Sequence, residues 1–437
     1  MLTHFVDQGS NRPRPSAAPL VAMMRRRFPI SRLPVVIGAS MLFVPWLLLM
    51  WNGTVGELAP RLRIASKRGV VGAQSGELQP LSLENVWSGR YQKSASQVVG
   101  SLTPVYGPSI RWKSQVYYSL LGTSSSSSIV IGRDGELFDL SYVQEYCGRD
   151  LSRLLPQAEE WAAKIAQLQS FYEDRGKVFL YVNTPSKPAI YPEFLPGGYK
   201  CPAPQEDRLH KLEAYRLILE RHHIHYIDAA TLTAEMRSRY PIDAFPRGGN
   251  HWTVLGASLA AQAITHAVNR QHGSELLTPF TFRWKVSLEP LGWDKDLLDL
   301  LNLRWPREHY PVPALTFDPS SSPHPCQPAR ITEVGGSFLF TVNGALQEAA
   351  CPPVISQWFY WDWRHFRYAD GPSKQILYFP PSPALPVDPE QRGRDLLTDL
   401  DVMLFEENDQ RTPESTHGQQ LFDFIFGQAR VAESSPR

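Results

Sequence analysis

The chain has 437 residues, of which 43% are hydrophobic and 20% are charged, and its formal net charge at pH 7 is +1. This length is sufficient for one large folded domain with a smaller appendage. The balanced charge argues against a nucleic-acid partner and gives no indication of a strongly acidic ligand.

The first feature in chain order is an apolar run at residues 33–51, LPVVIGASMLFVPWLLLMW, which contains no charge. A helix of about this length crosses a hydrocarbon core of roughly 30 Å. Arginines lie only on its N-terminal side until Arg61, and positive flanks stay in the cytoplasm. We therefore predict a cytoplasmic disordered tail at 1–32, a transmembrane helix at 33–51, and a single-pass inner-membrane protein whose main domain is periplasmic. A cleaved signal peptide is the alternative.

Residues 52–110 are mixed and polar, and we interpret them as a periplasmic stalk that leads into a folded domain at 111–430. The sequence SIVIGRDGELF at 128–138 places two apolar runs on either side of an Asp-Gly pair. This pattern predicts a β-hairpin, because Asp-Gly favours the tight turn that joins two antiparallel strands.

Helical and strand patterns then alternate along the domain. Apolar spacing predicts helices at 151–172, 208–222 and 253–269, and short apolar runs predict strands at 177–182, 225–228 and 401–405. This alternation favours an α/β fold with an open, mainly parallel sheet and helices on both faces. Functional residues in such folds lie at the carboxyl ends of the strands.

Two short motifs contain candidate catalytic residues. The sequence EVGGSF at 333–338 ends an apolar stretch with two glycines before Ser337, a composition typical of a nucleophile on a tight strand-to-helix turn. The sequence GGNHWT at 248–253 supplies His251, and histidine is the usual base that takes the proton of a serine at neutral pH. The order His before Ser is acceptable, because this chemistry recurs in several chain orders.

The cysteines and a histidine cluster give less specific signals. No Cys-x-x-Cys motif is present, and we interpret the histidines at 222, 223 and 225 as a solvated helix end rather than a metal cluster, so we predict neither a metal nor a cofactor. Four cysteines permit three disulfide pairings, among which the sequence does not choose. They are Cys147, Cys201, Cys326 and Cys351.

Five sequence blocks, in this order, resemble the alginate O-acetyltransferase family of periplasmic SGNH-type acetyltransferases. They are the hairpin at 130–138, the strand exit YVNTPSKPAIYPEFLP at 181–196, the His-Trp pair at 251–252, GGSF at 335–338 and LDVMLFEEN at 400–408. The resemblance implies an SGNH-hydrolase-like fold with the His block before the Ser block. It also implies acetyl transfer to an exopolysaccharide chain, with a multi-pass membrane acyltransferase as the acetyl supplier.

The resemblance also implies residue roles. Ser337 matches the nucleophile that accepts the acetyl group, and His251 matches the general base. The family's aspartate, two positions before the histidine, is replaced here by Gly249. We predict Asp243, the nearest upstream carboxylate, as a displaced acid. A Ser-His dyad and an inactive site are the alternatives.

Other contacts follow from the chemistry of acyl transfer, which passes through tetrahedral oxyanions. We predict the backbone N–H of Gly336 and the side chain of Asn183 as oxyanion donors. Asn250 is a hydrogen-bonding candidate beside the imidazole. Lys187 and Tyr191 are candidate ligand contacts. Equally good interpretations are that Lys187 is a surface charge and that Tyr191 is a packed ring. Two further function classes stay open: an SGNH esterase or deacetylase, and a non-catalytic polysaccharide-binding scaffold.

Overall fold

The computed structural model describes residues 33–59, 61, 70–72, 77–319 and 325–434. The tail predicted at 1–32 lies outside these residues. The chain divides into two compact units. Of the described residues, the first unit contains those up to Pro108 except 70–72, and the second contains 70–72 together with Ser109 onwards.

The first unit is helical, with α1 (Leu33–Leu58), α2 (Leu83–Trp87) and α3 (Arg90–Leu102). Helix α2 begins where the side chain of Ser82 accepts a hydrogen bond from the backbone N–H of Asn85, an N-cap that satisfies an otherwise unpaired donor.

The apolar run forms part of α1, but α1 continues beyond it through NGTVGEL at 52–58, which includes an acidic residue. Among the described residues, no helix is both long and apolar enough to cross a membrane. The predictions of a transmembrane helix at 33–51 and of a single-pass inner-membrane location were therefore wrong. The arginines immediately before the run, on which the predicted orientation depended, lie outside the described residues.

The second unit contains the strands. They are β1 (Ile129–Ile131), β2 (Leu137–Asp139), β3 (Val178–Thr184), β4 (Tyr226–Asp228), β5 (Phe280–Ser287), β6 (Val312–Pro319), β7 (Arg330–Gly335), β8 (Val354–Phe359), β9 (Arg364–Tyr368) and β10 (Val402–Asn408). Six of them form the central sheet in the order β4-β3-β10-β7-β8-β9. The predicted α/β fold is confirmed.

The central sheet is mixed rather than wholly parallel. Strands β4, β3, β10, β7 and β8 are parallel, whereas β9 pairs with β8 in the antiparallel sense. The physical reason is the length of the connection. Only residues 360–363 join β8 to β9, and a parallel pair requires a crossover of a dozen or more residues.

Helices cover both faces of the sheet. In chain order, the helices from α4 onwards are α4 (Tyr106–Leu121), which spans the division between the units, α5 (Leu140–Cys147), α6 (Leu151–Glu173), α7 (Lys187–Ile190), α8 (Gln205–Arg221), α9 (Ala229–Arg239), α10 (Val254–His272), α11 (Asp296–Leu300), α12 (Leu339–Leu346), α13 (Lys374–Tyr378), α14 (Pro389–Leu397) and α15 (Thr416–Ser434). Alternate residues of β10 point to opposite faces. Leu404 lies in the core shared with α9, α10 and α12, and Phe405 lies in the core shared with α6, α8 and α15.

Capping residues explain where the long helices begin and end. The side chain of Asp150 accepts from the N–H of Ser152 at the start of α6, and Gly176 adopts a left-handed φ of 67° shortly after its end. Thr253 caps α10, which ends at Gly273 with a φ of 79°. Polar N-caps and left-handed glycines satisfy the backbone groups that a helix leaves unpaired.

Two antiparallel hairpins and two disulfides complete the second unit. The predicted hairpin pairs β1 with β2, with Ile131 opposite Leu137, and β5 pairs with β6. The disulfides join Cys147 to Cys201 and Cys326 to Cys351, which selects one of the three possible pairings.

Candidate active site

Ser337 lies between the end of β7 and the start of α12, at the carboxyl edge of the sheet. Neither preceding glycine has a left-handed φ, so conformational freedom of the backbone does not explain why glycine stands at these positions. The lack of space for a side chain explains it. A Cβ on Gly335 would lie 2.8 Å from the Cβ of Glu406, and a Cβ on Gly336 would lie 2.8 Å from the hydroxyl of Tyr360. The turn therefore excludes side chains at both positions.

His251 connects Ser337 to a carboxylate. Its Nε2 lies 2.7 Å from Ser337 Oγ, and its Nδ1 lies 2.6 Å from Asp296 Oδ2. A carboxylate at Nδ1 favours the tautomer that carries the proton there, which leaves Nε2 as an acceptor for the serine hydroxyl. The Ser-His-Asp arrangement is thus complete.

Asp296 is the acid that the sequence analysis missed. It is the first residue of α11, and its Oδ1 accepts hydrogen bonds from the backbone N–H groups of Asn250 and Leu297, each at 2.8 Å. The predicted acid, Asp243, is exposed. The carboxylate that hydrogen-bonds His251 Nδ1 is that of Asp296. Asp296 lies 45 positions downstream of His251, whereas the predicted acid lies upstream of it.

Gly249 shows why the acid comes from elsewhere. A Cβ at this position would lie 2.3 Å from the carbonyl oxygen of Trp293, 2.8 Å from Pro246 Cγ and 3.1 Å from the carbonyl carbon of Asp294. The backbone at 293–294 therefore occupies the space that a side chain at 249 would need. The same segment leads directly into Asp296.

Aromatic packing holds the imidazole in place. The His251 ring centroid lies 4.6 Å from that of Trp293 and 5.0 Å from that of Phe338. Trp252 is buried, and its Nε1–H donates to the carbonyl oxygen of Phe338 at 3.1 Å. This bond ties the histidine segment to the serine segment.

The Gly336 peptide is held on both sides. Its N–H donates to Glu406 Oε2 at 2.6 Å, and its carbonyl oxygen accepts from Gln357 Nε2 at 3.1 Å. The other carboxylate oxygen of Glu406 accepts from the hydroxyl of Thr184. Burial raises the pKa of Glu406 to about 7. Because the Gly336 N–H is already bonded to a carboxylate, this geometry does not support its predicted role as an oxyanion donor.

Tyr360 lies beside Ser337, and Arg411 lies beside Tyr360. Burial and then the charge of Glu406 raise the pKa of Tyr360, whereas Arg411 and a hydrogen bond with Ser337 lower it. Tyr360 and Trp361 have φ values of 45° and 72°, a conformation that is uncommon for residues with side chains. Such backbone strain clusters at functional sites. Sequence patterns carry no signal for this turn.

The other residues predicted to contact a ligand form hydrogen bonds with protein groups. Lys187 is buried, its Nζ pairs with Glu136 at 2.9 Å, and it donates to the carbonyl oxygens of residues 137, 246, 247 and 249. Burial lowers the pKa of Lys187, and the charge of Glu136 raises it. Lys187 therefore fixes the loop that leads to His251.

Asn183 and Tyr191 also have protein partners. Asn183 Nδ2 donates to the carbonyl oxygen of Glu407 at 3.2 Å, and the Tyr191 hydroxyl accepts from the N–H of Ala244 at 2.7 Å. Asn250 contributes its backbone N–H to Asp296, and its buried side-chain oxygen has no hydrogen-bond partner. In the part of the chain that the structure describes, no group of histidine, cysteine and acidic residues is placed to hold a metal.

Comparisons with known proteins agree with the resemblance. Residues 129–331 match the family model described as SGNH hydrolase-like domain, acetyltransferase AlgX. This range contains His251 and Asp296 and ends shortly before Ser337. No curated protein matches the chain.

Similar solved structures include the following three proteins. The O-acetyltransferase domain of Pseudomonas putida AlgJ is 19% identical, with 68% of this chain and 99% of that chain covered and a TM-score of 0.42. Pseudomonas aeruginosa AlgX is 14% identical, with coverages of 67% and 65% and a TM-score of 0.42. Bacillus cereus PatB1 is 13% identical, with coverages of 60% and 92% and a TM-score of 0.37. At these TM-scores the structural likeness adds no argument of its own. The family match confirms the resemblance seen in the sequence: residues 129–331 are similar to the SGNH hydrolase-like domain of the acetyltransferase AlgX family model.

Proposed function

We propose that the protein transfers an acetyl group to a hydroxyl of an exported polysaccharide through an acetyl ester on Ser337. The observation that carries this proposal is the unbroken chain of hydrogen bonds from Ser337 through His251 to Asp296. Serine is a weak nucleophile until an adjacent base takes its proton, and this arrangement supplies the base and the group that orients it.

In the first half of the reaction, Ser337 Oγ attacks the acetyl carbonyl carbon while His251 Nε2 takes the hydroxyl proton. Asp296 stabilises the imidazolium that forms. The tetrahedral intermediate then collapses. The bond to the donor's leaving oxygen breaks, and that oxygen takes the proton from His251. The products are an acetyl ester on Ser337 and the free donor alcohol.

In the second half, a polysaccharide hydroxyl replaces the donor alcohol. His251 takes its proton, the hydroxyl oxygen attacks the acetyl carbon, and the bond to Ser337 Oγ breaks as the serine regains a proton. We include in this proposal a multi-pass membrane acyltransferase as the acetyl supplier, as the family resemblance implies. Water in place of the sugar hydroxyl would make the protein an esterase.

The oxyanion requires donors that are already oriented, because such donors stabilise charge as it develops. We assign this role to the Tyr360 hydroxyl, which lies beside Ser337, with Arg411 as the neighbouring positive charge. The guanidinium of Arg411 lies 4.9 Å from the centroid of the Tyr360 ring. A non-catalytic scaffold would not need this assembly around one serine.

The experiment that tests the proposal supplies p-nitrophenyl acetate as donor and a soluble oligosaccharide as acceptor. Acetyl groups on the oligosaccharide, absent with Ser337→Ala, would support transfer. Release of acetate alone would replace transfer with ester hydrolysis. No turnover of the donor by the wild-type chain would contradict both enzyme functions and favour the scaffold.

A further inference from the structure

Glu406 is a fully buried acidic residue that contacts the nucleophile turn, defined here as residues 335–337. It belongs to β10, which runs parallel to β7 with Phe405 opposite Val334. The next position in this register places Glu406 beside Gly335, where β7 ends. The neighbouring strand therefore brings a carboxylate to the backbone that precedes the candidate nucleophile.

One peptide unit of the nucleophile turn is held at both ends. Its N–H, from Gly336, donates to Glu406 Oε2 at 2.6 Å, and its carbonyl oxygen, from Gly335, accepts from the backbone N–H of Tyr360 at 3.0 Å. These two bonds fix the plane of the peptide, because its atoms are coplanar and its N–H and C=O point in opposite directions. The peptide comes one residue before Ser337, so its plane sets how Ser337 and Tyr360 lie relative to each other.

Gly335 leaves the space that this contact needs. A Cβ at Gly335 would lie 2.8 Å from Glu406 Cβ and 2.9 Å from Glu406 Oε2, the oxygen that accepts from the N–H of Gly336. A side chain at this position would push the carboxylate away from that N–H. The glycine and the glutamate therefore form one arrangement, to which two neighbouring strands contribute.

The other carboxylate oxygen fixes the rotation of the glutamate side chain. The hydroxyl of Thr184, at the end of β3, donates to Glu406 Oε1, and the Thr184 hydroxyl oxygen accepts from Asn408 Nδ2 at 3.2 Å. The carboxylate is thus bonded at both oxygens. A neutral glutamine can form the same two contacts, because its amide oxygen accepts from the N–H of Gly336 and its NH2 group donates to the Thr184 hydroxyl oxygen.

We propose that Glu406 is a positioning residue for Ser337. Its hydrogen bonds hold the peptide of Gly336 and so keep the serine hydroxyl beside the base, His251, and the oxyanion donor, Tyr360. The inference rests on the proposed function, because it takes Ser337 as the nucleophile. Glu406 itself takes no part in bond making. Its contribution is orientation, and a displacement of about 1 Å at a reacting atom lowers a rate on the order of a hundredfold.

Glu407 offers a matched control on the same strand. Its side chain is also fully buried, and it accepts hydrogen bonds from Trp161 Nε1, the Tyr181 hydroxyl and the N–H of Ser415. Successive side chains of a strand point to opposite faces of the sheet, and none of these three partners belongs to the nucleophile turn. Loss of Glu407 should therefore disturb the sheet as loss of Glu406 does, without releasing the peptide of that turn.

The test measures the second-order rate constant with which methanesulfonyl fluoride labels Ser337 in the full, folded chain, followed by mass spectrometry. In this reaction Ser337 Oγ bonds to sulfur, the sulfur–fluorine bond breaks, fluoride leaves and His251 takes the hydroxyl proton. Glu406→Ala should lower the rate constant by about a hundredfold, because the serine is displaced from its base. Glu406→Gln should label at close to the wild-type rate, because the amide keeps both contacts, and so should Glu407→Ala.

The assignment would be overturned by wild-type labelling of Glu406→Ala, by a Glu406→Gln chain as slow as Glu406→Ala, or by an equal loss in Glu407→Ala. If Glu406→Ala does not fold, Thr184→Val replaces it. This variant frees the other carboxylate oxygen and should slow labelling by a smaller factor, and an unchanged rate would overturn the assignment.

The same measurement separates this role from the proposed function. A wild-type chain in which Ser337 is not labelled would remove the nucleophile, and the role of Glu406 with it. A wild-type chain that is labelled at Ser337 but transfers no acetyl group would contradict the proposed function alone and leave the positioning role to be judged on the variants.

Discussion

A side chain at Gly249 would clash with the backbone of Trp293, because a Cβ there would lie 2.3 Å from the Trp293 carbonyl oxygen. The family pattern has an aspartate at this position, and the segment at 292–296 has taken its space. The same segment delivers Asp296 to His251. In the proposed mechanism the acid is thus relocated rather than lost.

The first prediction concerns this relocation. Gly249→Asp, which restores the family pattern, should lower stability by about 1–3 kcal/mol and should not raise activity, because the space is filled. Gly249→Ala should already lower the melting temperature, whereas Gly427→Ala, where nothing lies within 4 Å, should not. Thermal unfolding measures both. A Gly249→Asp chain with wild-type melting temperature and higher ester turnover would disprove the account of this position.

The second prediction separates the two candidate acids. Asp296→Asn should lower kcat for an acetyl ester by on the order of ten-thousand-fold, because the imidazole loses the carboxylate that fixes its tautomer. Asp243→Asn should change kcat little, because Asp243 is exposed and Asp296 already pairs with His251. The check is steady-state kinetics of both variants. The reverse order of effects would return the role to Asp243.

The third prediction tests the oxyanion assignment. Tyr360→Phe should lower kcat by about a hundredfold to a thousandfold with little change in KM, because a donor used only in the transition state is lost. Tyr199→Phe, at a partly exposed tyrosine, is the control. Wild-type turnover by Tyr360→Phe would require a different donor.

The fourth prediction follows from a buried carboxyl on β7, the strand that leads to Ser337. Burial raises the pKa of Glu333 to about 8 from an ordinary value of 4.5. Its stabilising effect is therefore fully present below pH 4.5 and is lost as pH rises through about 8, because the unfolded chain releases the proton first. Chemical denaturation should show a free energy of unfolding that falls over this range. Burial likewise raises the pKa of Glu406 to about 7, so part of the fall belongs to that residue.

Glu333→Gln isolates the contribution of Glu333. The variant carries no titrating carboxyl there, so its free energy of unfolding should decline less between pH 5 and 8 than that of the wild type. Glu275→Gln, at an exposed glutamate, should keep the wild-type slope. Identical slopes for wild type and Glu333→Gln would show that Glu333 does not titrate as described.

The parts of the site that sequence predicted are those encoded locally. Ser337 and His251 each lie in a short motif whose composition reflects a turn or a packed ring. The helices and strands predicted from periodicity correspond to α6, α8, α10, β3, β4 and β10. The family resemblance added the order of the blocks. These features depend on neighbours in the chain, which a sequence shows directly.

The parts that sequence did not predict depend on tertiary contacts. Asp296 reaches His251 because the segment before α11 packs against Gly249, and no local pattern encodes that contact. Lysine is a residue type that often contacts ligands. Lys187 is nevertheless fully buried, and its Nζ donates to backbone carbonyl oxygens. The apolar run at 33–51 was interpreted from hydropathy and charge alone, and that interpretation was wrong.

The central claim is that Ser337 carries the acetyl group, and mass spectrometry of the acid-quenched protein tests it most directly. After brief incubation of the wild-type chain with p-nitrophenyl acetate and no sugar, the peptide that contains Ser337 should gain the mass of one acetyl group. The gain should be absent in His251→Ala, where no base takes the serine proton. An acetyl group on another residue, or one that forms equally in His251→Ala, would contradict the account.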